Sequence, residues 1–186
     1  MPFVDTGFAG LKIFEPRVFV DSRGYFFESF NKLTFEEAGI KTEFVQDNES
    51  KSQRGVLRGL HYQLNPMAQA KLIRVVEGEV LDVVVDIRKG SPTFGQTFTV
   101  LISAENKKQL YIPHGFAHGF SVVSETCIFQ YKCDNYYSKE SEGGIIFNDP
   151  ALSIDWGIDL TTAVVSDKDK VLPLFKDCTN NFVFEQ

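Results

Sequence analysis

Between Leu72 and Arg88 the chain repeats with a period of two, not 3.6, and this commits it to β structure. Leu72–Val76 and Val80–Arg88 read as neighbouring strands joined around Glu77-Gly78-Glu79. On the second strand Leu81, Val83, Val85 and Ile87 share one face, uniformly apolar and expected in the core. Val80, Asp82, Val84 and Asp86 share the other, where Val beside Asp suits a cavity wall or a solvated face. Further strand candidates are Gln96–Ile102, Gln109–Ile112, Gly119–Val123 and Thr126–Lys132, separated by turns rich in Gly, Pro, Ser and Asn. Helical periodicity is scarce. The best candidate is a turn or two over Thr34–Ala38, with Thr34 as N-cap, Glu36 and Glu37 in the first turn and Gly39 as the stop. The pattern predicts an all-β antiparallel sandwich or barrel.

Eighteen Phe, six Tyr and one Trp in 186 residues fit the pleated surfaces of such a fold. The length suits a single domain. Within it we expect N-terminal strands over residues 1–44, a barrel core over about 45–135, and an extension of loops and short helices over 148–186. Packed on the barrel, that extension can bring polar side chains to its mouth, a common place for ligand sites. A net charge of −6 with no basic run argues against nucleic acid as a partner. Two or three well-placed cations would still hold a small phosphorylated ligand. No apolar run approaches the ~20 residues of a membrane helix, and the N-terminus lacks the charged and apolar regions of a signal peptide. Cys127, Cys133 and Cys178 are odd in number and sparse, so they read as packing thiols and favour a reducing cytoplasm.

Only three histidines are available for chemistry. His114 and His118 stand at i, i+4, but Pro113, Gly115 and Gly119 argue against the helix that a zinc pair at this spacing needs. His61 is followed by Tyr62 and Gln63, so the His-x-His pair of metal-binding cupins is missing, and no metal is expected. His61 taken alone could be a strand residue bonded to its neighbours. With Arg54, Arg58, Lys71 and Arg74 on what should be adjacent strands, it could instead sit in a cationic cavity suited to an anionic substrate and a developing oxyanion. Tyr131, Tyr136 and Tyr137 are either rim aromatics or, at Tyr131, a phenolic acid and, at Tyr137, a stacking ring.

Several segments recur in one order and spacing: Asp21-Ser22-Arg23-Gly24-Tyr25-Phe26, Gln46-Asp47-Asn48, Arg58-Gly59-Leu60-His61, Lys71, Pro113 through Phe120, Tyr131-Lys132, Glu140 through Gly144, and Ser166-Asp167-Lys168-Asp169. Together, from about Gly10 to Pro173, they resemble the dTDP-4-dehydrorhamnose 3,5-epimerase family. The resemblance implies a cupin-like jelly-roll β-barrel, a homodimer without metal or other cofactor, and inversion of C3 and C5 in dTDP-4-dehydro-6-deoxy-glucose, on the way to dTDP-L-rhamnose. Carried over residue by residue, His61 is the base, Asp169 the carboxylate behind it, Lys71 the stabiliser of the C4 enolate and Tyr131 the acid on the opposite face. Arg23, Arg58 and Lys168 match diphosphate contacts. Tyr137 would stack on thymine, with Glu28, Gln46 and Asn48 at its edge. His118 matches a sugar or keto-oxygen contact and Glu142 a polar contact on the ligand side. Arg23 and Glu28 lie on an N-terminal strand that could cross to a partner subunit. Two other readings stay open at this point: a narrower epimerase acting at C3 or C5 only, and a non-catalytic sugar-nucleotide-binding barrel.

Overall fold

The structure is a computed structural model and describes residues 2–184. Fourteen strands are present among them: β1 (Phe3–Asp5), β2 (Lys12–Phe14), β3 (Phe19–Asp21), β4 (Gly24–Phe26), β5 (Gln46–Gln53), β6 (Val56–Gln63), β7 (Lys71–Glu77), β8 (Glu79–Asp86), β9 (Thr97–Ser103), β10 (Gln109–Ile112), β11 (Phe116–Val122), β12 (Thr126–Cys133), β13 (Glu142–Gly144) and β14 (Val164–Val165). One short helix, α1 (Lys32–Glu37), follows β4. The first sheet runs β1-β2-β10-β7-β12-β5. The second runs β13-β6-β11-β8-β9, with β14 added in parallel to β6. The two sheets face each other without closing into a continuous ring, so the jelly roll is a sandwich.

Three apolar layers result. Between the sheets lie Ile73, Val75, Leu110 and Phe129 of the first sheet against Val80, Val84, Phe116 and Phe120 of the second. Outside the second sheet, Leu57, Val83, Val85 and Ile87 are covered by Ile145, Leu152 and Trp156 of the C-terminal extension. Outside the first sheet, Leu72 and Tyr111 pack under Phe35 of α1 and Phe14. Hence both faces of β8 are buried. The face carrying Asp82 and Asp86 is the one between the sheets, and neither carboxyl meets solvent. A run of 0 %-exposed residues on both faces needs cover on both sides, and the extension supplies the second cover.

The helix begins earlier than the sequence pattern suggests. Asn31, not Thr34, is the N-cap, and its side-chain oxygen accepts the Leu33 N–H at 3.1 Å. Gly39 does end it, with φ at +83°. The pattern also carries no sign of β5, whose residues are all polar. It is an edge strand, held by pairing along its whole length with β12 from Gln46↔Cys133 to Gln53↔Thr126. β3 and β4 form a separate hairpin outside both sheets, with Val20, Tyr25 and Phe26 exposed. No helix among the described residues is long and apolar enough to cross a membrane.

Candidate active site

A cavity of about 680 Å³ opens between the sheets. β6 and β11 of the second sheet contribute His61, Arg58 and His118. β7, β12 and β5 of the first contribute Lys71, Tyr131 and Asn48, and the segment after β14 adds Lys168 and Asp169. Phe120 and Phe129, stacked with centroids 4.1 Å apart, form an apolar wall.

His61 and Asp169 are brought together by close packing of backbone. β6 and β11 approach so tightly that a Cβ on Gly59 would stand 2.5 Å from Gly119 Cα, and one on Gly119 would stand 2.6 Å from the Arg58 carbonyl oxygen. Gly59 also has φ at +118°, which side-chain-bearing residues rarely adopt. The contact sets His61 opposite His118 in register. It also leaves the Gly59 N–H free to donate to Asp169 Oδ2 at 3.1 Å. Asp169 Oδ1 lies 2.8 Å from His61 Nε2. Asp169 is buried, which pushes its carboxyl up. The His61 hydrogen bond and charge, with the Gly59 N–H and Ser166, outweigh this and hold it below the ordinary carboxylate value. His61 is a third exposed, toward the cavity.

Across the cavity, Lys71 Nζ lies 5.9 Å from the centroid of the Tyr131 ring. Burial pushes the Lys71 ammonium below its usual range, against the pull of Cys133 and Asp82. Burial pushes the Tyr131 phenol up, Cys133 adding to the effect and Arg58 opposing it, so the O–H is retained at neutral pH. His118, on the cavity wall, holds Nε2 2.9 Å from Oδ2 of the fully buried Asp82. His114 turns elsewhere, to Asp134 near the surface, so the i, i+4 histidines do not converge. Among the described residues no three His, Cys, Asp or Glu groups cluster as a metal site would need.

Eight residues singled out from the sequence therefore meet in one cavity: His61, Lys71, Tyr131, Asp169, Asn48, Arg58, His118 and Lys168. Five do not line it. Gln46 donates to Asn48 at 3.0 Å and stands just behind it. Glu142 pairs with Lys168 and accepts from Tyr137 at 3.3 Å, making a polar rim beside the opening. Glu28 accepts from Asn31 at 3.2 Å. Arg23, on the β3–β4 hairpin, is 88 % exposed and among the described residues pairs only with Asp21. Sequence reasoning missed Asp82 as a partner of His118. Its signal was a charge between the apolar residues Val80 and Val84 on one face of β8.

Comparison with known proteins shows the family of the chain. Residues 5–177 match the family described as dTDP-4-dehydrorhamnose 3,5-epimerase. The chain is 58 % identical over 170 residues to the dTDP-4-dehydrorhamnose 3,5-epimerase of Shigella flexneri, covering 91 % of this chain and 93 % of the relative. A crystal structure of dTDP-4-dehydrorhamnose 3,5-epimerase from Elizabethkingia anophelis superposes with a TM-score of 0.91 at 55 % identity, covering 94 % of this chain and 96 % of the other. A structure of dTDP-6-deoxy-D-glucose-3,5-epimerase from Legionella pneumophila, in complex with dTDP-4-keto-L-rhamnose, superposes with a TM-score of 0.90 at 51 % identity, covering 94 % and 93 %.

Proposed function

Because the chain belongs to the dTDP-4-dehydrorhamnose 3,5-epimerase family, we infer that it inverts C3 and C5 of dTDP-4-dehydro-6-deoxy-glucose to give dTDP-4-dehydro-L-rhamnose, the whole chain working as one catalytic unit. The observation that carries this reading is the placement of an imidazole on one sheet and a phenol on the other, across one cavity, with the Lys71 ammonium 5.9 Å from the centroid of the phenol's ring.

Inversion α to a ketone needs a base on one face of the ring and an acid on the other. Asp169 accepts the His61 Nε2–H, which leaves Nδ1 with its lone pair as the base. His61 takes the proton from C3 or C5, and the electron pair of the broken C–H bond moves onto the C4 oxygen. The ionised Asp169 supports the imidazolium that forms. Lys71 offers its ammonium to the enolate oxygen, a contribution of roughly 10²–10³ in rate for such a donor. Tyr131 then gives its phenolic proton to the opposite face, the C–H bond reforms inverted, and solvent exchange returns both groups to their starting states.

Arg58 and Lys168 are the cations assigned to the diphosphate. Tyr137 is assigned to thymine, with Gln46, Asn48 and Glu28 at its edge and Glu142 beside it. Arg23 and Glu28 stand away from the cavity of their own chain. The exposed apolar hairpin on which Arg23 sits supports a homodimer in which it reaches the partner's cavity. Three free thiols support a reducing, cytoplasmic setting.

The test is turnover in D₂O followed by NMR of the product. Deuterium at both C3 and C5, lost at both in His61→Ala, is the expected result. Deuterium at one carbon only would establish the narrower epimerase, and none at either would leave only binding.

A further inference from the structure

Two Asp–imidazole pairs stand side by side in this fold, and they differ at the second oxygen of the carboxyl. His61 and His118 are register partners on β6 and β11. Each holds Nε2 against a carboxyl oxygen, at 2.8 Å to Asp169 and 2.9 Å to Asp82. In neither ring does Nδ1 hydrogen-bond to another group among the described residues, and both rings line the cavity. The second oxygen of Asp169 receives the Gly59 N–H. The second oxygen of Asp82, Oδ1, has no hydrogen-bond partner among the described residues, in a residue that is 0 % exposed.

That difference decides the charge. A carboxylate ion with one bare oxygen, wholly out of water, is far more costly than a neutral carboxyl whose bare oxygen is a carbonyl. Burial pushes the Asp82 carboxyl above its ordinary value, against the pull of His118 and Lys71, while Asp169 is held below its own. Like groups whose environments drive them in opposite directions take opposite parts in proton chemistry.

We propose that Asp82 is a positioning residue of the reaction: it shares a proton with His118, so that the ring keeps its Nδ1–H and donates it to an oxygen of the bound sugar. This rests on the assignment of His118 as a sugar or keto-oxygen contact and says how that contact works. With the shared proton on Asp82, the carboxyl O–H donates to Nε2. With it on the ring, the imidazolium Nε2–H donates to the carboxylate. Nδ1 carries hydrogen in both forms. Without the shared proton, the ring would turn its Nε2–H to Asp82 and present a lone pair to the oxygen, which would repel an enolate. The other charged groups around the cavity are Lys71 from β7, Arg58, Lys168, Glu49 from β5 and the His61–Asp169 pair. A proton-sharing Asp82–His118 pair is neutral as a unit and adds no further negative charge beside Lys71 and Arg58, which favours an anionic substrate.

Long-range ¹H–¹⁵N NMR on the free, full-length protein with ¹⁵N-labelled histidine reads the tautomer directly, with His118 assigned by the signals lost in His118→Gln. The expected result at neutral pH is a protonated Nδ1 on His118. Asp82→Asn, whose amide N–H can donate to Nε2 as the carboxyl does, should keep that form and hold kcat within about tenfold. Asp82→Ala should lower kcat by roughly 10²–10³ with KM little changed. A bare Nδ1 in the wild type overturns the proposal. So does a folded Asp82→Asn as slow as Asp82→Ala. If the Ala variant does not fold, the tautomer in the wild type and in Asp82→Asn still decides. The NMR reading needs no turnover. A protonated Nδ1 in a protein that fails to epimerise would therefore count against the proposed function and leave this assignment standing.

Discussion

Replacing Asp169 with Asn should disable the proposed base more thoroughly than removing the side chain. The two oxygens of Asp169 have different partners: Oδ2 accepts the Gly59 N–H at 3.1 Å, and Oδ1 faces His61 Nε2 at 2.8 Å. Gly59 offers a fixed backbone donor. An Asn here must therefore keep its carbonyl oxygen toward Gly59 and turn its NH₂ toward His61. The flipped amide would set N–H against N–H in a buried spot and leave a donor unmet, at about 1–3 kcal/mol. A penalty of 1–2 kcal/mol already biases the orientation by a factor of about 5–30. In the favoured orientation the amide donates to Nε2, so the proton of the neutral ring sits on Nδ1, the atom proposed to abstract the sugar proton. The imidazolium also loses the negative charge that supports it. Together these should lower kcat by about 10³–10⁴, comparable to the loss from a wrong-tautomer Asp→Asn change in a serine-protease triad, with KM little moved. Asp169→Ala leaves the ring free to choose its tautomer and should fall less. The assay is the initial rate of solvent deuterium entry at C3 and C5. An Asn variant within tenfold of wild type, or clearly faster than the Ala variant, would refute the reasoning.

Three further outcomes follow from the same geometry. Tyr131→Phe removes the proposed acid and should lower the inversion rate by about 10²–10⁴, while the sugar's α-proton still exchanges with D₂O in unepimerised substrate; loss of exchange as well as inversion would place the phenol's role elsewhere. Asp169 has its carboxyl below the ordinary value in the fold, so its stabilisation is complete above about pH 4 and is lost as pH falls through the lower folded value; the urea-midpoint gap between wild type and Asp169→Asn should close over that acid range and not above it. Gly59→Ala puts a methyl 2.5 Å from Gly119 Cα at a φ of +118°, and should cost about 3 kcal/mol or more in chemical denaturation; a loss under 1 kcal/mol would show that β6 and β11 can separate.

How far the sequence disclosed this fold depended on whether a strand's neighbours were apolar. β8 was plain because Leu81, Val83, Val85 and Ile87 alternate with Val80 and Val84. The period alone did not show that both faces are covered, since the cover comes from Ile145, Leu152 and Trp156, far along the chain. β5 was invisible because an edge strand on a cavity can be polar throughout. Its order comes from β12, not from its own side chains. Thr34 looked like a cap because Glu36 and Glu37 follow it, but Asn31 lies where the chain leaves the β3–β4 hairpin and takes that place. In the cavity, the period placed Asp82 and nothing placed Asp169. The two partners of the dyad are 108 residues apart, and only the family resemblance joined them. Arg23 and Glu28 stand away from the cavity of their own chain, Arg23 with Asp21 and Glu28 with Asn31, so only the family resemblance attached them to a ligand.

The sandwich itself sets a condition on how two carbons could be inverted by one base and one acid. Facing sheets stand about 10 Å apart, enough for a sugar ring between an imidazole on one wall and a phenol on the other. Such a cavity has one base-to-acid axis, yet C3 and C5 lie on opposite sides of C4. The atom common to both enolates is the C4 oxygen. H3 and H5 of the substrate leave the same face of the ring. So if Lys71, with the Nδ1–H proposed for His118, holds that oxygen, the ring can turn in its own plane about the C4 oxygen and present C3 and C5 to the same pair in succession, with one face kept toward His61 and without moving the charge that must be stabilised. The stacked Phe120–Phe129 wall suits that turn, because an apolar surface offers no hydrogen bond that would fix one orientation of the ring over the other. A polar side chain in place of Phe120 would favour one orientation, and with it inversion at a single carbon.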